Sequence, residues 1–478
     1  MTRAGIFAGV ALVAVLGACK AVGPDFQSPA APANAGYRMA GDADVPMVEL
    51  VSDQRPAGAW WKALGSADLD RVMDQALADN RTIDEANATL EAARQQVAAV
   101  RGAQYPQAAF QAGAEEERIN IASFGFTGFP NPTLGLYSVG ANVSYDVDLF
   151  GGLKRSTEAA RAQAESQARH ADAAYLTLTG QAAMSAVQIA TIRGQIAAVQ
   201  AAVADDQRLV DMVHKAEAAG GEPASATVSV KAQLAQDQAL LPPMQQQLAQ
   251  ARHALALLVG RSPSDFTAPD FNLDDFAAPT SVPVSLPSNL VRRRPDILAA
   301  EADLHAATAR IGVATAALYP DIKLSANLTQ TALEPQNLFS YGASGWTLAA
   351  GLTQPLFDGG TLKARQKQAR AEARASLDRY QQTVLTAFSQ VADVMQAIAN
   401  DDAELVALGH AEDTAQSNLH DAEAGFNLGG APLYPVIDAE RQLQMARRAR
   451  VAAQGKRLAD IAQLFVATAA DWRDTPAS

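Results

Sequence analysis

The chain carries the same pattern twice, which restricts it to folds made from two similar halves. Leu90 to Pro106 reads LEAARQQVAAVRGAQYP, and Leu304 to Pro320 reads LHAATARIGVATAALYP, with the closing Tyr-Pro in register. Further on, Leu149-Phe150-Gly151-Gly152-Leu153-Lys154 has its counterpart in Leu356-Phe357-Asp358-Gly359-Gly360-Thr361-Leu362-Lys363. A period near 210 residues is far longer than the roughly 20–50 residues of a solenoid unit. Each copy reads helix, strand, strand, very long helix, shorter helix.

This reading divides the chain into a leader (1–18), an extended N-terminal segment (19–56), a first repeat (57–270), a linker (271–289) and a second repeat (290–478). Strands are predicted over about 106–117, 137–149, 320–331 and 345–356. Long helices are predicted over about 153–219 and 361–428, with return helices over 224–259 and 433–470.

The leader has a positive start at Arg3, an apolar stretch from Ile6 to Leu16, and then Leu16-Gly17-Ala18-Cys19. Small residues before a cut mark a secretory signal peptide. Here the residue after the cut is the only cysteine of the chain, as in a bacterial lipobox, so Cys19 is the expected site of acylation. The alternative is an ordinary signal peptide followed by an ordinary buried cysteine. Lys20, where an inner-membrane retention signal has aspartate, favours delivery to the outer membrane. Beyond the leader no run of eighteen apolar residues remains, so no transmembrane helix is predicted. If the mature chain spans a membrane, it does so with strands closed into a barrel.

The predicted strands alternate with period two. Tyr137, Val139, Ala141, Val143, Tyr145, Val147 and Leu149 share one face, with Ser138, Gly140, Asn142, Ser144, Asp146 and Asp148 opposite. Ile322, Leu324, Ala326 and Leu328 oppose Lys323, Ser325, Asn327 and Thr329, and Trp346, Leu348, Ala350 and Leu352 behave likewise. An apolar outer face and a small, polar inner face suit an outer-membrane strand. A soluble half-buried sheet gives the same alternation. Aromatic-rich loops, Phe124 to Pro130 and Phe339-Ser340-Tyr341, are placed to supply interfacial aromatics. Four strands are too few to close a membrane barrel, whose smallest examples have about eight. Strands in lipid would therefore have to be shared between chains.

Between Gly152 and Gly220 there is no proline, and the second half repeats this between Gly360 and Gly429. A helix of that length is roughly 100 Å long, and survives only in coiled coils or tubes. Each ends at a glycine-rich turn, Gly220-Gly221 and Gly429-Gly430, with Pro223 and Pro432 just beyond. Pro242-Pro243 predicts a kink or break in the first return helix.

Leu290-Val291-Arg292-Arg293-Arg294-Pro295-Asp296 through Tyr319-Pro320 resembles the most characteristic block of the bacterial outer-membrane factors, the TolC-like ducts. The Cys-x-x-x-Gly-Pro-Asp-Phe run from Cys19 to Phe26 is similar to their NodT-type lipoprotein branch. Trp60-Trp61, Ala256-Leu257-Leu258-Val259-Gly260 and Val436-Ile437-Asp438-Ala439 match in order. The resemblance implies an α+β membrane protein: a homotrimeric twelve-stranded outer-membrane β-barrel, four strands per chain, continued by a long α-helical periplasmic tunnel. It implies a periplasmic adaptor (membrane fusion) protein and an inner-membrane pump of the RND type as partners, with no cofactor beyond a covalent lipid on Cys19. It also places a periplasmic gate at Asp438 and Tyr434, and adaptor docking at Gly220, Gly221, Gly429 and Gly430. Plain helix stops explain the glycines equally well, and a solvated helix residue is the alternative at Tyr434 and at Asp438, where the motif favours the gate. Arg294, Pro295, Asp296, Tyr319 and Pro320 are read as a structural brace. One departure is the C-terminal Ala467-Thr468-Ala469-Ala470-Asp471-Trp472, where relatives carry an ALGGGW-like element.

Other functions find little support. Net charge is −13 and the basic residues are scattered, which gives no clustered face for nucleic acid. His170, His214, His253, His305, His410 and His420 lack metal-ligand spacing. Phe150 to Ser156 lacks the spacing of a phosphate loop. The expected function is a passive exit duct of a tripartite efflux system. The alternatives are a type I secretion duct, or a lipid-anchored coiled-coil stalk or adaptor without a barrel.

Overall fold

The computed structural model describes residues 21–33, 36–42, 48–51, 59–120, 123, 125, 128, 130–279, 282–285 and 287–469. The leader, Cys19, Phe124, Phe126, Phe129 and Trp472 lie outside the described residues. In chain order the main elements are β1 (Val48–Val51), α1 (Ala67–Asp79), α2 (Arg81–Gly102), β2 (Gln107–Arg118), β3 (Thr133–Asp146), α3 (Gly152–Ala218) and α4 (Ala224–Leu258). There follow β4 (Val282–Ser285), α5 (Pro295–Ala316), β5 (Asp321–Ala332), β6 (Ser344–Thr353), α6 (Thr361–Asn427) and α7 (Tyr434–Ala467).

The duplication shows in element lengths. α2 and α5 have 22 residues each, β2 and β5 have 12, and α3 and α6 have 67. α4 and α7 have 35 and 34. The compact units of the chain cut across this duplication. One comprises residues 1–29, 88–168 and 299–381; the other comprises 30–87, 169–298 and 382–478.

The first unit holds an antiparallel sheet of order β2-β3-β5-β6. Its register aligns like with like: Phe110, Ala141, Leu328 and Trp346 form one cross-strand row, and Ala109, Asn142, Asn327 and Thr347 form another. On the apolar face the side chains are bare, with Phe110 and Trp346 each 74% exposed. A sheet whose apolar face meets neither a helix nor a second sheet has no core of its own, unlike the packed layers of a soluble domain.

The same unit straps the N-terminal segment against the start of α3. Gly23 crosses Gly312 so closely that a Cβ on Gly23 would fall 2.5 Å from the Gly312 Cα. The almost buried Arg155 side chain donates to Val22 O (3.2 Å), Asp25 Oδ1 (2.6 Å) and Glu158 Oε2 (2.8 Å). Glu158 meets His305 Nε2 at 3.0 Å, and the His305 ring stacks on Phe26 at 4.4 Å. The Gly-Pro-Asp-Phe run thus ties residues 21–29 to α3 and α5. Arg155→Ala should release it at a local cost of about 2–3 kcal/mol, the scale of hydrogen bonds to a charged group. Faster chymotryptic cleavage after Phe26 would report the release; an unchanged rate would contradict it.

The second unit is held by small residues. Ala182, Ala183, Ala186 and Ala190 of α3 are wholly buried, and glycines let α3 and α7 approach. A Cβ on Gly455 would fall 1.9 Å from Thr191 Oγ1, and one on Gly180 would fall 2.6 Å from Val466 Cγ2. Gly455→Ala should therefore destabilise the protein by about 1–3 kcal/mol through overpacking, seen as a lower thermal midpoint by circular dichroism. Trp60 closes this core, stacking on Phe465 at 5.3 Å and donating Nε1–H to Thr179 Oγ1 at 3.3 Å.

Of the kink or break expected at Pro242 and Pro243, the break does not occur, since α4 is continuous through both. Each proline removes one N–H donor, and the regular ladder on either side carries the helix across. At the other end of the chain Ala469 takes φ +49° just after α7, a left-handed conformation usually left to glycine.

Candidate functional site at the helix tips

The long helices stop by one device used twice. Gly220 (φ +77°) and Gly429 (φ +72°) are left-handed. Gly220 N–H donates to Glu217 O and Gly221 N–H to Ala216 O, both at 2.9 Å. At the second tip Gly429 N–H donates to Phe426 O at 2.9 Å and Gly430 N–H to Gly425 O at 3.1 Å. This pair of bonds is the Schellman motif. A Cβ at Gly220 or Gly429 would meet nothing within 4 Å. Backbone conformation, not space, selects glycine here, and the backbone at both positions stands open.

Behind the tips the four helices share one apolar cluster. Leu209, Val210 and Val213 of α3 meet Val230 of α4 and Leu433 and Val436 at the start of α7, with Phe426 of α6 packed alongside. The cluster fixes how α7 leaves the second tip. Tyr434 is its first residue and points outward, 74% exposed. Asp438 lies one turn further along the same helix face. Its carboxylate accepts from Arg441 NH2 and from Gln442 Nε2, each at 2.6 Å. The proposed gate residue therefore comes with its own counterion.

Beside this lies an acidic cluster that sequence spacing does not reveal. Asp206 of α3 and Glu440 of α7 are buried, and Asp237 of α4 faces Asp206. Burial, the hydrogen bond to Asp237 and the neighbouring charges of Asp237, Glu440 and Asp205 push the Asp206 carboxyl up to about 8. Burial and the charges of Asp205, Glu423 and Asp237, opposed by Arg208, raise Glu440 to about 7. Asp206 Oδ2 has no hydrogen-bond partner among the described residues. No cluster able to hold a metal ion occurs among the described residues.

The Arg-Pro-Asp block lies elsewhere. Pro295 opens α5, where a missing N–H costs nothing. Arg294, mostly buried, donates Nε–H to both Asp296 oxygens (2.9 and 3.0 Å) and NH1 to Ala467 O (3.0 Å), and reaches Gln390 of α6 through NH2. It joins the start of α5, the middle of α6 and the end of α7. Tyr319, just before Pro320 in the first unit, stacks on Phe150 with ring centroids 4.5 Å apart. The residues singled out from the sequence thus fall in separate places, with only the glycines, Tyr434 and Asp438 at the tips.

The family model for outer membrane efflux proteins matches residues 72–261 and 286–470. The pyoverdine export outer membrane protein OpmQ of Pseudomonas aeruginosa is 28% identical over 464 residues, covering 96% of this chain and 95% of OpmQ. The probable outer membrane lipoprotein SilC of Salmonella typhimurium is 26% identical, covering 97% of this chain and 98% of SilC. Among solved structures, the outer-membrane channel OprN aligns with TM-score 0.86 and 26% identity over 94% of this chain and 99% of its own. The open state of the MtrE outer membrane channel of Neisseria gonorrhoeae aligns with TM-score 0.80 and 26% identity over 95% of this chain and 99% of its own. A match to both repeats, a bare apolar sheet and paired 67-residue helices agree: the chain belongs to the outer membrane efflux protein family.

Proposed function

We propose that this protein is the exit duct of a tripartite efflux system. Three copies each contribute β2, β3, β5 and β6 to one twelve-stranded barrel, and their long helices form the periplasmic conduit. The observation that carries this reading is the four-stranded sheet itself, with an apolar face open to its surroundings and two edge strands that have no strand partner among the described residues. In hydrocarbon each unsatisfied backbone group costs several kcal/mol, so such a sheet is stable in lipid only when other copies complete it.

A periplasmic adaptor docks at the open backbone of Gly220, Gly221, Gly429 and Gly430, and an RND-type inner-membrane pump delivers the cargo. Tyr434 and Asp438 form the closed gate, repeated three times around the axis. Acylated Cys19 anchors the N-terminus, and the strap through Arg155 holds the residues that follow. Transport through the duct is passive and needs no catalytic group. The relative named for pyoverdine export supports small solutes as cargo.

Deleting the gene in its host should raise retention of a fluorescent pump substrate such as ethidium, with recovery on re-expression. Unchanged retention together with loss of a secreted polypeptide would replace this reading with type I secretion.

A further inference from the structure

Within the four-stranded sheet the two repeats meet along one strand pair, β3 against β5. There Asn142 lies opposite Asn327 and Val143 opposite Ala326. Just beyond the pair, Phe150 after β3 stacks on Tyr319 before β5, centroids 4.5 Å apart and planes 17° apart. The repeat correspondence is strict at this point. β2 and β5 start at Gln107 and Asp321, 214 positions apart, as are Tyr105 and Tyr319. β3 and β6 end at Asp146 and Thr353, 207 positions apart, as are Phe150 and Phe357. The second repeat therefore has a phenylalanine without its tyrosine, and the first has a tyrosine without its phenylalanine. Phe357 is 93% exposed and Tyr105 is 53% exposed.

Resting on the trimeric reading above, we infer that the seam between copies repeats the β3–β5 junction. β6 of one copy pairs antiparallel with β2 of a second copy in a single register, and Phe357 of the first stacks on Tyr105 of the second. Carrying the internal register across the two offsets sets Leu352 opposite Phe110, Ala350 opposite Ala112 and Ser344 opposite Arg118. This register keeps the apolar residues of both strands on one face, which a one-residue slip would reverse. It brings the two strands flush at Ser344 and Arg118. It also places Glu115, Glu116 and Glu117 opposite Thr347, Trp346 and Gly345, on a strand without charged residues, so no like charges oppose. The contact is heterologous, because β6 meets β2 and never itself.

Engineered disulfides read the register. The variant Ala350→Cys with Ala112→Cys, purified from membranes and mildly oxidised, should give a covalent ladder ending at three chains on a non-reducing gel. Off-register variants, Ala350→Cys with Ala108→Cys or with Ala114→Cys, should link about tenfold less. Directly opposed Cβ atoms lie ~5 Å apart and a diagonal pair such as Ala350 with Ala114 ~7–8 Å, with Ala108 further still at ~3.4 Å of rise per residue, against the ~4 Å of a disulfide. Each single variant should give no ladder, which also controls for the thiol at Cys19. A ladder strongest in an off-register variant, or in Ala350→Cys alone, overturns the register while leaving the trimer intact. A three-chain mass in detergent with no ladder from any variant overturns it too. A one-chain mass overturns the trimeric reading itself. In the same preparations Tyr105→Ala and Phe357→Ala should each lower the heat resistance of the trimer, and the double variant should be no worse than either single one, as for two residues of one contact.

Discussion

In a planar bilayer, Tyr434→Ala combined with Asp438→Ala should raise single-channel conductance severalfold over the parent. The cause is local. Tyr434 is the largest exposed side chain on the first turn of α7, and Asp438, one turn on, carries a half-buried carboxylate on that face. Single variants separate size from charge. At the proposed gate, Tyr434→Ala should widen the constriction and leave the charges alone. Asp438→Ala strips Arg441 of its 2.6 Å partner, leaving three uncompensated guanidinium groups around the axis, so selectivity should move toward anions. Arg441→Ala leaves three bare carboxylates and should deepen cation preference. Measured reversal potentials that move the same way in both charge variants would remove Asp438 from the lumen.

The second large effect is on pH. Asp206 and Glu440 are raised to about 8 and about 7 in the folded tip, above the ordinary carboxylate range near 4. Each binds its proton more tightly folded than unfolded. Their contribution to stability is therefore complete below about pH 4 and is lost as pH rises through 7 and 8. Hydrogen exchange over residues 205–240 and 425–445, corrected for intrinsic rate, should show protection falling at least about tenfold from pH 5 to pH 8, equivalent to ~1.4 kcal/mol. Asp206→Asn keeps a polar group that donates to Asp237 and removes one of the two titrations, so its protection should fall less steeply than the parent's, the remainder coming from Glu440. Protection that rises with pH in the parent would contradict the burial of these carboxyls as neutral groups. Groups facing the pair include Asp205 and Arg208 on α3, Asp237 on α4 and Glu423 on α6, and the pH response belongs to that whole set.

What sequence reveals about this fold depends on how far apart the determining residues lie. The strands are legible because lipid and lumen impose alternation at every second residue, visible in Trp346, Leu348, Ala350 and Leu352. The 67-residue helices are legible because proline is absent and a Gly-Gly turn ends each one. Pro242-Pro243 does not end the first return helix, because a long helix can absorb two missing donors. The Asp206–Asp237–Glu440 cluster draws its members from three helices, and no periodicity along one chain brings them together. Asp438 with Arg441 was within reach, since residues three apart are neighbours on a helix. The Gly-Pro-Asp-Phe run stands out as a motif, while its partner Arg155 lies 130 residues beyond Asp25 and becomes apparent only in the fold.

A barrel shared between copies is tested most directly on a Cys19→Ala variant exported to the periplasm by a non-lipoprotein leader, where no acyl chain can hold the protein to a membrane. This variant should resist carbonate extraction and elute from detergent with the mass of three chains. Release into the aqueous fraction, at any mass, would mean that β2, β3, β5 and β6 never enter lipid, and the protein would be a lipid-anchored periplasmic stalk.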